Sequence, residues 1–288
     1  MVPFRRQSRD QQAASQPLNQ HDKAERFRRL HAGPRAFVIP NPWDGGSARI
    51  LAGLGFEALA TSSGAAAGVL GRRDGQISRD EALAQVRIIV AATDLPVSAD
   101  FEKGYGDAPA QVADSVRLGA EAGLVGCSIE DASGDKERPL YEFDLAVARI
   151  EAAVRAARAL AFPFTLTARA ENFLRGKPDL DDTIRRLQAY ERAGADVLFA
   201  PGLPDLEAVR RVCRSVSKPV NFMAGMRGKS FSVAELEAAG VRRVSLATSL
   251  WRAAMSGLLE AAREVKEKGS FGYLERSVAT PDISRYMQ

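Results

Sequence analysis

Short apolar runs recur along this chain at intervals of roughly 30 residues, and each is followed by a longer segment whose apolar residues have helical spacing. The runs are only four to six residues long, as expected for strands buried on both faces. The predicted strands cover residues 36–40, 56–61, 96–100, 124–129, 164–167, 196–200, 219–223 and 243–247.

The segments between the runs predict helices. One of them opens with a capping box, because Ser78 is followed three residues later by Glu81. The segment 62–65, made of small residues, is predicted to be a loop. The predicted helices cover residues 22–30, 47–53, 78–92, 109–121, 141–160, 181–193, 204–217, 233–239 and 249–266.

Eight strands alternating with helices favour parallel pairing and predict an α/β fold, a (β/α)8 TIM-type barrel. A doubly wound open sheet is the alternative, but no G-x-G-x-x-G fingerprint follows the first strand. We expect a disordered N-terminal leader over 1–20, the barrel over 21–268, and a C-terminal tail over 269–288 that packs on a neighbour or frays.

Composition narrows the possibilities further. The 288 residues are 45% hydrophobic and 26% charged, which is typical of a globular protein. The net charge of +4 is spread along the chain and predicts no nucleic-acid surface, and no apolar run has the roughly 20 residues that a membrane span requires. Cys127 and Cys213 lie in apolar contexts, which predicts a cytoplasmic protein without disulfides.

The candidate chemistry begins where the third strand ends. Asp100 and Glu102 lie two residues apart, so their side chains would share one side if the strand continued through them. Two carboxylates that close repel each other unless a cation lies between them, and a hard divalent cation is the natural candidate. A polar loop with solvated acids is the alternative interpretation.

Polar side chains also follow the other predicted strands. Active sites of such barrels lie at the C-terminal ends of the strands, where several carboxylates and one arginine would converge, and this convergence favours the metal interpretation. Arg169 could instead belong to a structural ion network, and Ser62–Gly64 could be a plain turn or a set of backbone donors for a carboxylate. The residues predicted at this end are Asn41, Asp44, Ser62, Ser63, Gly64, Asp100, Glu102, Glu130, Asp131, Arg169, Glu171, Asn221 and Thr248.

Other residues are given lesser roles. Trp43 is expected to wall a pocket, and Cys127 is expected in the core. His21 and His31 precede the first strand, so histidine is not expected to act as the acid or base.

The motifs together resemble the isocitrate lyase and phosphoenolpyruvate mutase superfamily, and the match runs from about residue 25 to 255. The matching segments are 41–49 (NPWDGGSAR), 62–64 (SSG), 71–74 (GRRD), 98–106 (SADFEKGYG), 128–131 (SIED) and 167–169 (TAR).

This resemblance implies a Mg²⁺-dependent barrel, with Mn²⁺ as a possible substitute, that acts on small 2-oxo acids or related carboxylates. It implies a homodimer or homotetramer that exchanges its last barrel helix between subunits. Asp100 matches the principal metal-site aspartate, and Asp74, Glu102 and Glu130 match acids that hold the ion directly or through water. Arg169 matches the arginine that binds substrate carboxylate and enolate charge, and Ser62–Gly64 matches the segment whose amides hold that carboxylate. Trp43, Asp44 and Asn221 are expected to complete the substrate pocket.

One loop departs from the family. Lyases of this superfamily carry a Lys-Lys/Arg-Cys-Gly-His motif after the fourth strand, whereas residues 134–140 here read GDKERPL, without cysteine or histidine. Lys136 falls at the spacing of the motif's first lysine, and a solvated loop lysine is the alternative.

We therefore expect a Mg²⁺-dependent lyase that cleaves, hydrolyses or decarboxylates a small 2-oxo or 2-hydroxy di-acid, such as oxaloacetate or a malate derivative, through a metal-stabilised enolate. The alternatives are phosphorus–carbon chemistry, as in phosphonopyruvate hydrolysis or phosphoenolpyruvate mutation, and a non-catalytic barrel that binds a metal and a carboxylate.

Overall fold

The structure, a computed structural model, describes residues 18–287. Most of the predicted leader, residues 1–17, lies outside the described residues.

Eight strands form one parallel sheet in the order β1-β8-β7-β6-β5-β4-β3-β2. The ends of this order meet through a single backbone bond, because Ala60 N donates to Pro40 O over 3.0 Å. The predicted (β/α)8 barrel is confirmed. The strands are β1 (Phe37–Ile39), β2 (Leu59–Ala60), β3 (Val97–Asp100), β4 (Gly126–Glu130), β5 (Thr165–Arg169), β6 (Val197–Phe199), β7 (Val220–Met223) and β8 (Arg243–Ser245).

Helices surround the sheet and bury an apolar layer against it, with Leu124, Leu166 and Leu187 fully enclosed. A short 3₁₀ helix also spans Gly272–Arg276. The α-helices of the described chain are α1 (Gln20–Ala32), α2 (Gly45–Gly53), α3 (Ser63–Val69), α4 (Arg79–Ala91), α5 (Pro109–Glu121), α6 (Phe143–Arg158), α7 (Leu180–Arg192), α8 (Leu206–Ser215), α9 (Val233–Ala238), α10 (Ser249–Lys268) and α11 (Thr280–Ser284).

Helix α1 closes the N-terminal end of the barrel. Its Phe27 packs edge-to-face on Phe37 of β1, with ring centroids 6.4 Å apart, and its His31 packs on the same ring at 5.0 Å. Gly126 of β4 makes room for this helix, because a Cβ there would lie 3.0 Å from the Phe27 ring. Helix α1 therefore forms a floor at the N-terminal ends of the strands.

One local prediction was wrong. Residues 62–65 are not a loop: the Ser62 side chain caps α3 by accepting a hydrogen bond from Ala65 N, which lets this small-residue segment begin a helix. The third strand ends at Asp100 as predicted, and it does not continue through Glu102, which has a φ of 49°. The side chains of Asp100 and Glu102 are thus related by a turn and not by a pleat.

The last helix of the barrel, α10, leaves the body of the protein. Trp251, in its first turn, lies against Gly68 of α3, where a Cβ would come within 2.5 Å of the indole. None of its 20 residues is buried in the single chain. Beyond it the C-terminal tail returns to α2, where the Tyr286 ring covers Gly53.

Within residues 18–287, no helix combines the length and the apolar character needed to cross a bilayer.

Candidate active site

A cavity of about 770 Å³ lies at the C-terminal mouth of the barrel, and side chains from the ends of the strands line it. Ten of the sequence-predicted site residues lie in this lining, which are Asn41, Ser62, Ser63, Asp74, Asp100, Glu102, Glu130, Arg169, Glu171 and Thr248. The topology of the barrel brings them together from six strand ends and the loops that follow them.

Arg169, at the end of β5, is the centre of the site. Its guanidinium donates to Asp100 Oδ1 at 3.0 Å and to Glu171 Oε1 at 2.7 Å, and it lies 3.1 Å from Glu130 Oε2. Burial lowers the pKa of Arg169, but the charges of Glu171, Glu130 and Asp100 raise it well above its ordinary value. Arg169 is therefore a permanent cation, and its guanidinium lies over the ring of Phe199 at 4.9 Å.

Asp100 is held from several directions. Its Oδ1 accepts from Glu102 N at 3.2 Å and from Ser128 Oγ at 3.4 Å, in addition to Arg169. Its Oδ2 accepts from Ser63 Oγ at 3.2 Å. These donors fix the orientation of a carboxylate that still lies on the wall of the cavity.

Glu102 differs from Asp100, because one of its oxygens has no partner. Oε1 of Glu102 is buried and has no hydrogen-bond partner in the described chain. Burial and the nearby charges of Asp100 and Asp74 raise the pKa of Glu102 to about 7. An unpaired, buried carboxylate oxygen is costly in the free protein, and a cation beside it would remove that cost.

Glu130 and Glu171 share a second arginine that the sequence did not single out. Arg175, in the loop after β5, lies 3.0 Å from Glu130 Oε1 and 3.4 Å from Glu171 Oε2. Burial raises the pKa of Glu130 well above its ordinary value, against the opposing charge of Arg169. Glu171 itself is completely buried.

Gly64 leaves room for the side chains of Thr248 and Asp74 beside the start of α3. A Cβ at Gly64 would lie 2.9 Å from Thr248 Cγ2 and 3.3 Å from Asp74 Oδ2. Only glycine lets the Asp74 carboxylate approach Ser63 and Gly64 so closely.

The cavity lining does not include three of the predicted pocket residues, Trp43, Asp44 and Asn221. Asp44 caps α2 by accepting from Ser47 N at 2.6 Å, and the Trp43 carbonyl accepts from Gln85 at 2.8 Å; neither residue lines the cavity. Asn221 lies inside the barrel, where its amide donates to Ser245 Oγ and accepts from Arg243.

The loop of residues 132–140 folds into a tight hairpin beside the mouth. Its Lys136 is exposed and lies outside the cavity lining. Lys103 does line the cavity, and its Nζ donates to Asp107 at 2.7 Å and to Ser133 O at 3.0 Å. The lysine that lines the cavity is therefore Lys103, which follows β3 and which the sequence did not single out as a site residue.

The residues present fit a divalent cation. Five carboxylates line the cavity, and one of them, that of Glu102, has a buried oxygen without a hydrogen-bond partner among the described residues, which a cation could satisfy; the carboxylates are those of Asp74, Asp100, Glu102, Glu130 and Glu171. Residues 18–287 hold no ready-made cluster of three acidic, histidine or cysteine ligands. Mg²⁺ does not require one, because it keeps several waters and is usually bound by one or two carboxylates.

The chain belongs to the phosphoenolpyruvate phosphomutase family, whose model matches residues 27–266, and is an enzyme of the superfamily that also contains the isocitrate lyases. Among curated relatives, the probable 2-methylisocitrate lyase 1 of Corynebacterium glutamicum is 31% identical and covers 88% of this chain and 85% of its own.

Solved structures agree with this assignment. A Burkholderia cenocepacia J2315 protein described only as a lyase/mutase is 54% identical, with a TM-score of 0.91 over 93% of this chain and 96% of that one. An oxaloacetate acetylhydrolase in complex with its product oxalate is 25% identical, with a TM-score of 0.84 over 92% of this chain and 93% of that one. Both similarities extend over the whole barrel.

Proposed function

We propose that this protein is a Mg²⁺-dependent lyase that cleaves a carbon–carbon bond in a small 2-oxo or 2-hydroxy di-acid. The observation that carries the proposal is the buried, unpartnered oxygen of Glu102 beside Asp100, at the mouth of a barrel whose relatives include lyases. Hydrolysis and decarboxylation of the same substrate class are the variants that the test below separates.

Asp100 is the residue we expect to hold the cation directly, with Glu102, Glu130 and Asp74 binding it or its waters. When bound, Mg²⁺ would supply a Lewis acid that draws charge from the 2-oxo and carboxylate oxygens of the substrate. Mn²⁺ has similar ligand preferences and is expected to substitute.

The chain's own residues perform the remaining work. Arg169 is a cation held in place by three acids, so it can stabilise negative charge on a substrate oxygen as an enolate forms, with little reorganisation. The backbone of Ser62–Gly64 at the start of α3 lies beside Asp100 and is suited to hold a carboxylate.

Proton transfer cannot follow the route of the cysteine-containing lyases. Neither a cysteine nor a histidine lies in the loop 132–140. Cys127 is buried within β4, where burial raises the pKa of its thiol. The groups of the cavity lining that can carry a proton include Lys103 and Glu102.

The test is a substrate panel with and without Mg²⁺, read by proton NMR, which detects acetate, pyruvate and succinate directly. Oxaloacetate, 2-methylisocitrate and phosphonopyruvate separate the candidate reactions: acetate from oxaloacetate reports hydrolysis, pyruvate from oxaloacetate reports decarboxylation, and pyruvate with succinate from 2-methylisocitrate reports the lyase reaction. Asp100→Asn corrects for the metal-catalysed decay of oxaloacetate. Turnover of phosphonopyruvate alone would favour phosphorus–carbon chemistry, and no turnover with retained oxalate binding would favour a non-catalytic binding barrel.

We also propose that the protein is a homodimer or homotetramer that exchanges α10. Support comes from the exposed apolar side chains of that helix: Leu258 is 59% exposed and Leu259 is 53% exposed. An amphipathic helix without a buried residue in its own chain is expected to pack on a second copy.

The proposed setting is the cytoplasm, since Cys127 and Cys213 are both free thiols. No nucleic-acid or membrane partner is proposed, and the expected partner is the small carboxylate substrate.

A further inference from the structure

Arg243 opens β8 at the floor of the cavity and has no place in the proposed function above. It is 5% exposed, and it forms part of the cavity lining together with Arg169 and Glu130. Its strand neighbours are Asn221 of β7 and Phe37 of β1, so its side chain shares the interior of the barrel with theirs.

Two neutral groups hold this guanidinium. Nε of Arg243 donates to Asn221 Oδ1 over 2.8 Å, and one terminal nitrogen lies 3.5 Å from His31 Nε2. Nδ1 of His31 lies 2.9 Å from the Phe27 carbonyl, which can only accept, so the proton belongs on Nδ1 and Nε2 is free to accept from Arg243. His31 is neutral at neutral pH, since burial and the charge of Arg243 lower its pKa to about 3.

No acid neutralises Arg243. Among residues 18–287 no carboxylate lies within ion-pair distance of it, and the charged group that acts on it is another cation, Arg169. A buried cation normally has an anionic partner, because desolvation without one is strongly unfavourable. Arg169, the other buried arginine of the cavity lining, is by contrast paired with acids.

We propose that Arg243 binds the second carboxylate of the di-acid substrate at the inner end of the cavity, with Asn221 and His31 orienting the guanidinium. This proposal rests on the proposed function. It restricts the substrate class to compounds that carry a second anionic group in addition to the one bound at the metal end.

The position also bears on which bond is cleaved. A cation on a carboxylate stabilises its negative charge, and loss of CO₂ requires that carboxylate to give its charge up. Arg243 therefore favours substrates whose second carboxylate stays on the leaving fragment after carbon–carbon cleavage, as in a lyase or hydrolase, over decarboxylation at that group.

The experiment measures binding by titration calorimetry in the presence of Mg²⁺ with three probes. Oxalate reports the metal end alone, while malate (each enantiomer) and 2-hydroxybutyrate have the same chain length but differ in the second carboxylate. The variants are Arg243→Gln and, as a matched control on the preceding residue, Arg242→Gln, which lies outside the cavity lining.

The wild-type protein should bind one malate enantiomer at least about tenfold more tightly than 2-hydroxybutyrate, as expected for charge-assisted hydrogen bonds. In Arg243→Gln this preference should vanish while oxalate affinity is retained, and Arg242→Gln should behave as wild type. A preserved malate preference in Arg243→Gln, or none in the wild type, would overturn the inference; the second outcome is read on the wild-type protein alone, so the inference can be overturned even if the variant fails to fold. Failure of the proposed function is seen separately, as absence of oxalate binding in the wild type.

Discussion

Arg169 and Asp100 form an ion pair of 3.0 Å across the mouth of the barrel, between the ends of two strands that are not neighbours in the sheet. The pair joins the proposed metal side of the cavity to its enolate-stabilising side. A change at either residue should therefore affect both stability and activity.

Replacing Arg169 separates these two effects. Arg169→Gln leaves Asp100, Glu130 and Glu171 without their shared cation, and we expect a loss of about 3–5 kcal/mol in the free energy of unfolding. Arg169→Lys keeps the charge but loses the fork geometry, so it should lose less stability while kcat falls about 10²- to 10³-fold. Urea denaturation and steady-state kinetics measure the two quantities.

The control for Arg169 is Arg185→Gln on the exposed face of α7, where the ion pair with Asp182 is a surface pair. Its stability should change by less than about 1 kcal/mol. Wild-type turnover in Arg169→Gln would refute the role of the arginine.

The two lysines near the mouth should behave differently. Lys103 lines the cavity and joins the β3 loop to Ser133, whereas Lys136 is exposed to solvent. We expect Lys103→Ala to lower kcat by more than tenfold and Lys136→Ala to leave kcat unchanged. Both variants are measured in the same steady-state assay. An equal fall in kcat for both substitutions would mean that the loop moves Lys136 into the site, and an unchanged kcat in Lys103→Ala would refute the role of Lys103.

The floor of the barrel predicts a pH dependence of stability. The pKa of His31 is about 3 in the folded protein, against about 6.5 in an unfolded chain, so the unfolded chain binds the proton more readily between these values. Stability is therefore full above pH of about 6.5 and is lost as the pH falls toward 3. Between pH 7 and pH 5 the loss from this one group is about 2 kcal/mol.

His31→Gln isolates that contribution, because glutamine keeps an acceptor for Arg243 but does not titrate. Chemical denaturation of wild type and variant at pH 7 and pH 5 should give a smaller pH effect in the variant. Parallel pH curves for the two proteins would show that His31 is already protonated in the folded state.

The exposed face of α10 predicts the assembly. Light scattering should give a mass of two or four times 31.0 kDa for the wild type. Leu258→Glu should shift the protein toward the monomer, since it places a charge in the proposed apolar interface, while Lys266→Glu on the same helix serves as the control. A monomeric wild type would remove the basis for helix exchange.

How far the sequence predicts this site depends on where each residue stands in its strand. Asp100, Glu130 and Arg169 end apolar strands, and the rule that barrel sites lie at C-terminal ends is enough to bring them together. Arg243 begins its strand and reaches the cavity only through the length of its side chain, so the same rule misses it.

Local backbone geometry explains the other differences. The alternation rule for Asp100 and Glu102 assumes a continuing strand, whereas the positive φ of Glu102 turns its carboxylate into the buried position next to Asp74. The helix α3 consists of small residues with no apolar period, so its only sequence signal is the capping serine, Ser62.

The most direct test of the central claim is calorimetric titration of oxalate, an analogue of the pyruvate enolate, into the wild-type protein and Asp100→Asn. With Mg²⁺ present the wild type should bind oxalate at one site per chain, and binding should disappear with chelator and in Asp100→Asn, while Asp114→Asn on the exposed face of α5 should bind as the wild type does. A wild-type protein that binds no oxalate in the presence of Mg²⁺, or an Asp100→Asn variant that binds it equally well, would contradict a metal-dependent enolate site at this mouth.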